Sequence, residues 1–194
     1  KVKMKGRSFT PVNLPSALTT FRDNLIDKAT DFFASGVGID PVTHFPYDNS
    51  EADGTVDNSE KFTQPTLIGF YLQMLADAAA GNLNLNNLTV DQALTEAETV
   101  LDQLLTVQTN YGWNGLIPWL DLHPVLSPRD DVAVGDNANL SQSLAVMIGA
   151  LEAVGTFTAV QQAARTAIIT KATNFLNNQK PGYLAFVDAG GSFH

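Results

Sequence analysis

Aromatic rings, carboxylates and amides are concentrated in two long stretches of the chain that carry no helical pattern, residues 35–64 and 110–135, and in the few residues that follow the second. Flat rings can stack on the C–H faces of sugars, amides can bind hydroxyl groups, and paired carboxylates can serve as acid and base in glycoside hydrolysis. We therefore predict a carbohydrate site. Its candidate residues are Tyr47, Asp48, Gln64, Trp113, Trp119, Asp121, His123, Asp136, Asn137 and Asn139.

Several of these residues also have a purely structural interpretation. Trp113 and Trp119 are large enough to act as apolar plugs that hold a loop onto helix ends. Asp136 is placed where it could cap a helix, and His123 precedes a proline in a turn. Asp121 has apolar residues on both sides, so its carboxylate would be costly to bury unless it is paired or exposed in a cleft.

A segment within the first stretch has the spacing of a calcium-binding loop. The matching residues are Asn49, Glu51, Asp53, Thr55, Asp57 and Glu60. The first position is normally Asp, and Pro41 and Pro46 interrupt the helix that should precede such a loop. A solvated acidic loop is the alternative interpretation, so we expect no metal and no cofactor, with calcium as a secondary possibility.

Composition excludes several other classes of protein. The chain has 194 residues, 11 Lys and Arg against 20 Asp and Glu, a net charge of −9 and no cysteine. Nucleic acid and membrane insertion are not expected, because the first requires clustered basic residues and the second a long apolar run. The absence of cysteine removes disulfides and thiol nucleophiles. Low charge with many polar amides favours an extracellular or periplasmic location.

Hydrophobic periodicity predicts five helices of alternating character. The first, third and fifth are amphipathic, whereas the second and fourth are apolar nearly all round and should be buried on most sides. Capping boxes mark two of the starts, at Thr89 and Thr158. The predicted helices cover about 16–34, 65–80, 90–110, 136–155 and 159–180, the last ending at Pro181.

The order outer, inner, outer, inner, outer predicts an all-α fold of the α/α toroid type. Both long stretches lead into inner helices, so they should lie on the same face of the molecule. Gly81 and Gly155 end the two inner helices 155 − 81 = 74 residues apart, which gives roughly two and a half units. A closed ring would need more chain, and we expect residues 1–194 to form a single domain that is only part of one.

Three segments in the same order resemble the bacterial glucoamylase-like proteins, which are related to the endo-β-1,2-glucanases. They are Phe45–Asp48 with Thr63–Leu72, Trp119–Asp121, and Gly135–Leu140, so the resemblance spans about residues 40–155. It implies an (α/α)₆ toroid of which this chain is the N-terminal portion, an extracellular or periplasmic setting, and cleavage of a β-glucan, with the β-1,2 linkage as one candidate, without a cofactor.

By the same resemblance, Asp121 and Asp136 are the catalytic carboxylates, and which of them is the acid and which the base stays open. The rings of Tyr47, Trp113 and Trp119 would stack on sugars, and the remaining polar candidates would bind hydroxyl groups. The rest of the toroid or a second copy would complete the fold. The alternative function is a non-catalytic glycan-binding or surface-assembly protein on the same scaffold.

Overall fold

The computed structural model describes residues 15–49, 61–129, 132–187 and 191, and this part of the chain is mostly helical. Its helices are α1 (Ser16–Asp31), α2 (Pro65–Ala79), α3 (Val90–Tyr111), α4 (Val134–Ala153) and α5 (Ala159–Leu184). Its strands are β1 (Phe62–Thr63), β2 (Leu120–Asp121) and β3 (Ser127–Pro128). None of the described helices is both long and apolar enough to cross a membrane.

Both predicted capping boxes are confirmed. The Thr89 hydroxyl accepts from the Gln92 N–H at 3.3 Å, and the Gln92 side chain accepts from the Thr89 N–H at 2.9 Å. Thr158 and Gln161 repeat the same pair of bonds before α5. Each box satisfies two of the donors that every helix start leaves unpaired, which is why these boundaries could be predicted.

The end of α5 differs from the prediction, because Pro181 lies inside the helix instead of ending it. The residue after the proline explains the extra turn. Gly182 is buried, and any side chain there would overlap Leu116 of the loop that follows α3. Close packing of this last turn against the loop offsets the hydrogen bond that Pro181 cannot make.

The four helices α2 to α5 form two stacked hairpins. α2 packs against α4 and α3 against α5, while α3 and α5 also pack on the helices that precede them. Hydrogen bonds between the hairpins join residues 70 positions apart, as in the pairs Thr66–Asp136, Asp91–Gln161 and Gln108–Asn178. The second hairpin therefore repeats the first in parallel, close to the spacing that the two glycines predict.

Burial of the predicted inner helices is unequal. α2 is largely buried, and Ile68, Leu72 and Leu75 are inaccessible to solvent. α4 buries only one face, because Val146 on the other side remains 43% exposed. The expectation that α4 is covered on most sides is therefore wrong for the described chain, because no described element packs on its second face.

The two long stretches meet in a small antiparallel sheet of order β1-β2-β3. Phe62 pairs with Asp121, and Leu120 pairs with Pro128. Backbone bonds from Leu122 to Lys61 at 2.8 Å and from Asp48 to Phe62 at 2.9 Å extend this connection. Since β1 leads directly into α2, the sheet lies at the end where α2 begins, and the predicted meeting of the two stretches on one face is confirmed.

Candidate functional site: the sheet face

The register of the sheet gathers aromatic and charged side chains on one side. Phe62 lies opposite Asp121, and the Arg129 N–H donates to the Trp119 carbonyl at 2.8 Å, so Arg129 lies beside Trp119. Side chains alternate along a strand, which sends the intervening Leu120 to the opposite, fully buried side. We call the set Phe62, Trp119, Asp121, Arg129 and Asp136 the sheet face.

Trp119 is the centre of the sheet face. Its ring stacks on Phe62 with 5.8 Å between centroids and 17° between planes. The Arg129 guanidinium lies 4.1 Å from the centroid of the Phe62 ring, a cation–π geometry. The indole N–H of Trp119 donates to Asp136 Oδ2 at 2.7 Å. These contacts fix the orientation of a half-buried indole before any ligand arrives.

Asp136 connects the starts of α2 and α4. The Thr66 hydroxyl donates to its Oδ1 at 2.7 Å, and the Asn139 amide donates to that hydroxyl oxygen at 3.2 Å. The alternative interpretation of Asp136 as a helix cap is not supported, because α4 begins two residues earlier and the cap residue is Ala133. Both carboxylate oxygens therefore accept from side chains of the site.

Asp121 is held more loosely. Its carboxylate lies 3.8 Å from Arg129 Nη1, and its side chain is 41% exposed. The Asp121 carboxylate would be costly to bury among its apolar neighbours, but here it is both paired with an arginine and partly exposed, so this cost does not arise. The two carboxylates predicted to be catalytic are thus both close to Trp119, Asp136 through a hydrogen bond to the indole and Asp121 two residues further along the chain.

Asp48 and Gln64 lie at the edge of the sheet. The Gln64 amide donates to Asp48, and both side chains are half-buried. The backbone bond from Asp48 to Phe62 places this pair beside the sheet face. Both residues remain candidates for binding sugar hydroxyls.

Two predicted substrate ligands are buried instead. Tyr47 is 3% exposed, so its ring has no open face for a sugar. Asn137 is inaccessible, and its amide both accepts from the Ile117 N–H and donates to the Ile117 carbonyl at 2.9 Å. The predictions for these two residues are corrected: they brace the loop from inside, since all their polar atoms are paired with protein groups.

Asp40 is the buried residue that sequence reasoning missed. It accepts from the Thr43 N–H and hydroxyl at 2.7 Å, from the Tyr47 hydroxyl at 2.8 Å and from His123 Nε2 at 2.7 Å. Burial alone would raise the pKa of Asp40, but these hydrogen bonds outweigh it and lower the pKa below its ordinary value. The Asp40-Pro41-x-Thr43 spacing, in which an aspartate can accept from the N–H three residues on as a helix cap does, is the signal that could have found it.

His123 is thereby oriented by a buried carboxylate, with about a third of its side chain exposed. Only Leu122 separates His123 from Asp121 along the chain, so His123 borders the sheet face. It remains a candidate ligand, now with Asp40 as the group that positions it.

Trp113 belongs to a different contact group. Its backbone pairs with that of Leu116, and its ring meets Phe186 edge-on at 5.5 Å. The side chain is 45% exposed. Trp113 is therefore attached to the loop after α3 and to the segment after α5. Trp119, by contrast, donates a hydrogen bond to Asp136.

Most of the predicted calcium loop lies outside the described residues, namely Glu51, Asp53, Thr55, Asp57 and Glu60. Asn49 is described and half-buried. Within the ranges that the structure describes, no three His, Asp or Glu side chains come together as a metal site would require.

No family model, curated protein or solved structure matches this chain. The assignment of function therefore depends on the residues and the geometry described above.

Proposed function

We propose that this protein binds a β-glucan on the sheet face and takes part in its hydrolysis. The observation that carries the proposal is the Trp119 indole, stacked on Phe62 and bonded to Asp136, beside the exposed Asp121. An aromatic platform edged by carboxylates and amides combines the apolar and hydroxyl-binding surfaces that a sugar presents. The net negative charge of the chain favours a neutral polymer over a phosphorylated one.

The two carboxylates have different roles in this proposal. Asp136 already accepts from Trp119 and Thr66, so it orients the platform and the substrate hydroxyls. Asp121 is partly exposed, and its contact within the described chain is a long ion pair, so it can turn to a bound glycosidic oxygen or water as acid or base. A hydrolase of this type requires a second acid–base group, which Asp121 alone does not supply.

The fold proposed for this function is a segment of an α/α toroid. Inner helix packs on inner helix, outer packs on outer, and the 70-residue offset repeats from one hairpin to the next. Further hairpins, or a second copy, would cover the open face of α4. A polymeric glucan substrate is consistent with an extracellular or periplasmic location.

The experiment measures reducing ends released from linear β-glucans of defined linkage, β-1,2 included. Asp121→Asn should lower turnover by about 10²–10⁴-fold, because general acid–base help is worth that much. Asp136→Asn should lower both binding and turnover. Asp23→Asn, an exposed exchange on α1, is the matched control and should change neither. Hydrolysis that survives both site exchanges would contradict the proposal.

A non-catalytic glycan-binding protein is the second candidate. It is favoured by the fact that both oxygens of Asp136 are engaged in protein hydrogen bonds. In this case the same glucans would bind to the wild-type protein without release of any product, and Asp121→Asn would leave binding unchanged.

A further inference from the structure

A pocket lies where the segment after α1 meets α2 and α3. Its volume is 470 Å³, within the range of small-molecule sites, and it shares no residue with the sheet face. Its lining includes the side chains of Phe33, His44, Tyr71, Asn86, Asp91 and Glu96.

A histidine–carboxylate pair lies in its wall. His44 Nδ1 lies 3.0 Å and 2.9 Å from the two oxygens of Glu96, and because a carboxylate only accepts, this nitrogen donates. His44 has a φ of 61°, which is unusual for a residue with a side chain and costs energy unless the surroundings impose it. The fold thus holds the imidazole in place against Glu96 at a conformational cost.

The apolar part of the wall is built by two rings. Phe33 stacks on Tyr71 with 5.8 Å between centroids and 11° between planes. Burial and the nearby charge of Glu96 raise the pKa of Tyr71, so its hydroxyl keeps its proton and donates to Glu96 at 3.2 Å. Tyr71 is buried and Phe33 is half-buried, so Phe33 is the ring that a ligand can reach.

The polar atoms that remain for a ligand are mainly acceptors. Asp91 Oδ1 accepts from Gln161, which leaves Oδ2, and the Asn86 amide nitrogen donates to the Thr30 carbonyl, which leaves the Asn86 carbonyl. In a neutral His44 ring, Nε2 is a further acceptor. Among the described residues that line the pocket, two are carboxylates and none is Lys or Arg.

We propose that this pocket binds a small organic ammonium compound with an apolar ring. The ammonium group, which only donates, would lie between the carboxylates of Asp91 and Glu96, and the ring would pack on Phe33. Anions are disfavoured because no described residue of the lining is cationic other than a protonated histidine. A neutral ring of the same size would lose the charge-assisted bonds.

The test compares three probes of one shape, benzylammonium, benzyl alcohol and benzoate, by calorimetry and by amide NMR shifts. Benzylammonium should bind to the wild-type protein, move the signals of Ser35, Gln92 and Thr95, and raise the melting temperature. Glu96→Gln should weaken binding about tenfold or more, since one of the two charge-assisted hydrogen bonds to the ammonium group is lost.

Glu98→Gln is the matched control, because Glu98 lies on the same helix but pairs with Lys171, and it should leave binding unchanged. Contacts between the probe ring and Phe33 in the NMR spectrum of the wild-type protein keep the test valid even if Glu96→Gln fails to fold. The proposal is overturned if no probe binds at millimolar concentration, if benzoate binds as well as benzylammonium, or if the two Gln variants behave alike.

Discussion

At the scale of single residues, burial separates groups of the same chemical type. Asp40 is inaccessible and accepts four hydrogen bonds, whereas Asp121 is exposed beside one arginine. The first carboxylate therefore stabilises the loop and positions His123, and the second remains open to a ligand. Tyr47 and Asn137 resemble Asp40 in this respect, because their polar atoms are hydrogen-bonded to protein groups.

We predict that Asp40 makes the stability of the protein depend on acid. Because the pKa of Asp40 is lower in the folded state than in the unfolded state, the folded protein gains stability from the ionised carboxylate at any pH above the unfolded pKa of about 3.9. This stability is lost as the pH falls through the pKa of the folded state. Urea denaturation between neutral pH and the acid range should show this loss.

Asp40→Asn should cost about 1–3 kcal/mol near neutral pH, since one carboxylate acceptor becomes a donor, and it should weaken the acid dependence. Asp23→Asn, at an exposed ion pair, provides the comparison. An acid dependence that is identical in the wild type and in Asp40→Asn would show that another group is responsible.

The residue types that form the site could be predicted from the sequence, but the burial of each residue could not. Trp119, Asp121 and Asp136 were predicted as a set and do share the sheet face. Tyr47 and Asn137 have the same residue chemistry in the same two stretches, but only the path of the loops decides that they face inward. Asp40 escaped because the sequence does not show which hydroxyl and imidazole groups, up to 83 positions away, converge on it.

At the scale of elements, local signals predicted helix starts better than helix ends. Thr89 and Thr158 make their capping bonds within one turn, so the sequence contains all partners. The prediction that α5 ends at Pro181 is wrong because the last turn of the helix packs against Leu116. Leu116 lies 181 − 116 = 65 positions before Pro181, so no local sequence pattern includes it.

The contact between the loop after α3 and α5 can be measured with two glycines. Gly115 and Gly81 both have positive φ, at 84° and 77°, so alanine is strained at either by about 1–2 kcal/mol. A side chain at Gly115 would also overlap the Asn178 carbonyl, while Gly81 has open space.

We therefore predict that Gly115→Ala lowers the free energy of unfolding by about 1–3 kcal/mol more than Gly81→Ala, because only the side chain at position 115 meets the Asn178 carbonyl. Chemical denaturation of the two variants measures it. Equal losses at both positions would mean that the loop does not pack against α5 as described.

At the scale of the whole molecule, repetition predicted the stacking of hairpins, but not which faces would be covered. The 70-residue offset places Asp136 beside Thr66 and Gln161 beside Asp91. By contrast, Leu18, Phe21 and Leu25 recur on one side of α1 and are 52%, 66% and 59% exposed. An amphipathic pattern identifies the apolar face of a helix, but it does not identify the element or molecule that covers that face.

These exposed faces predict self-association. Apolar surface of this kind gains free energy when it is covered, so sedimentation velocity should show the chain associating as its concentration rises. Phe21→Ser with Leu25→Ser should shift it toward monomer. Val42→Ser, at an isolated loop residue that is 77% exposed, should not. A wild-type protein that stays monomeric throughout would contradict this prediction.

The central claim, that the sheet face is a glucan site built around Trp119, is tested most directly by calorimetric titration of β-glucan oligosaccharides into three proteins. The wild type should bind, and Trp119→Ala should bind at least about tenfold more weakly. Stacking of a nucleic-acid base on an aromatic side chain is worth about 1–3 kcal/mol, and we expect a sugar ring, which is of similar size, to lose a comparable amount. Trp113→Ala, which removes the chain's other tryptophan, should bind like the wild type. Absence of binding by the wild type, or equal losses in both variants, would contradict the account.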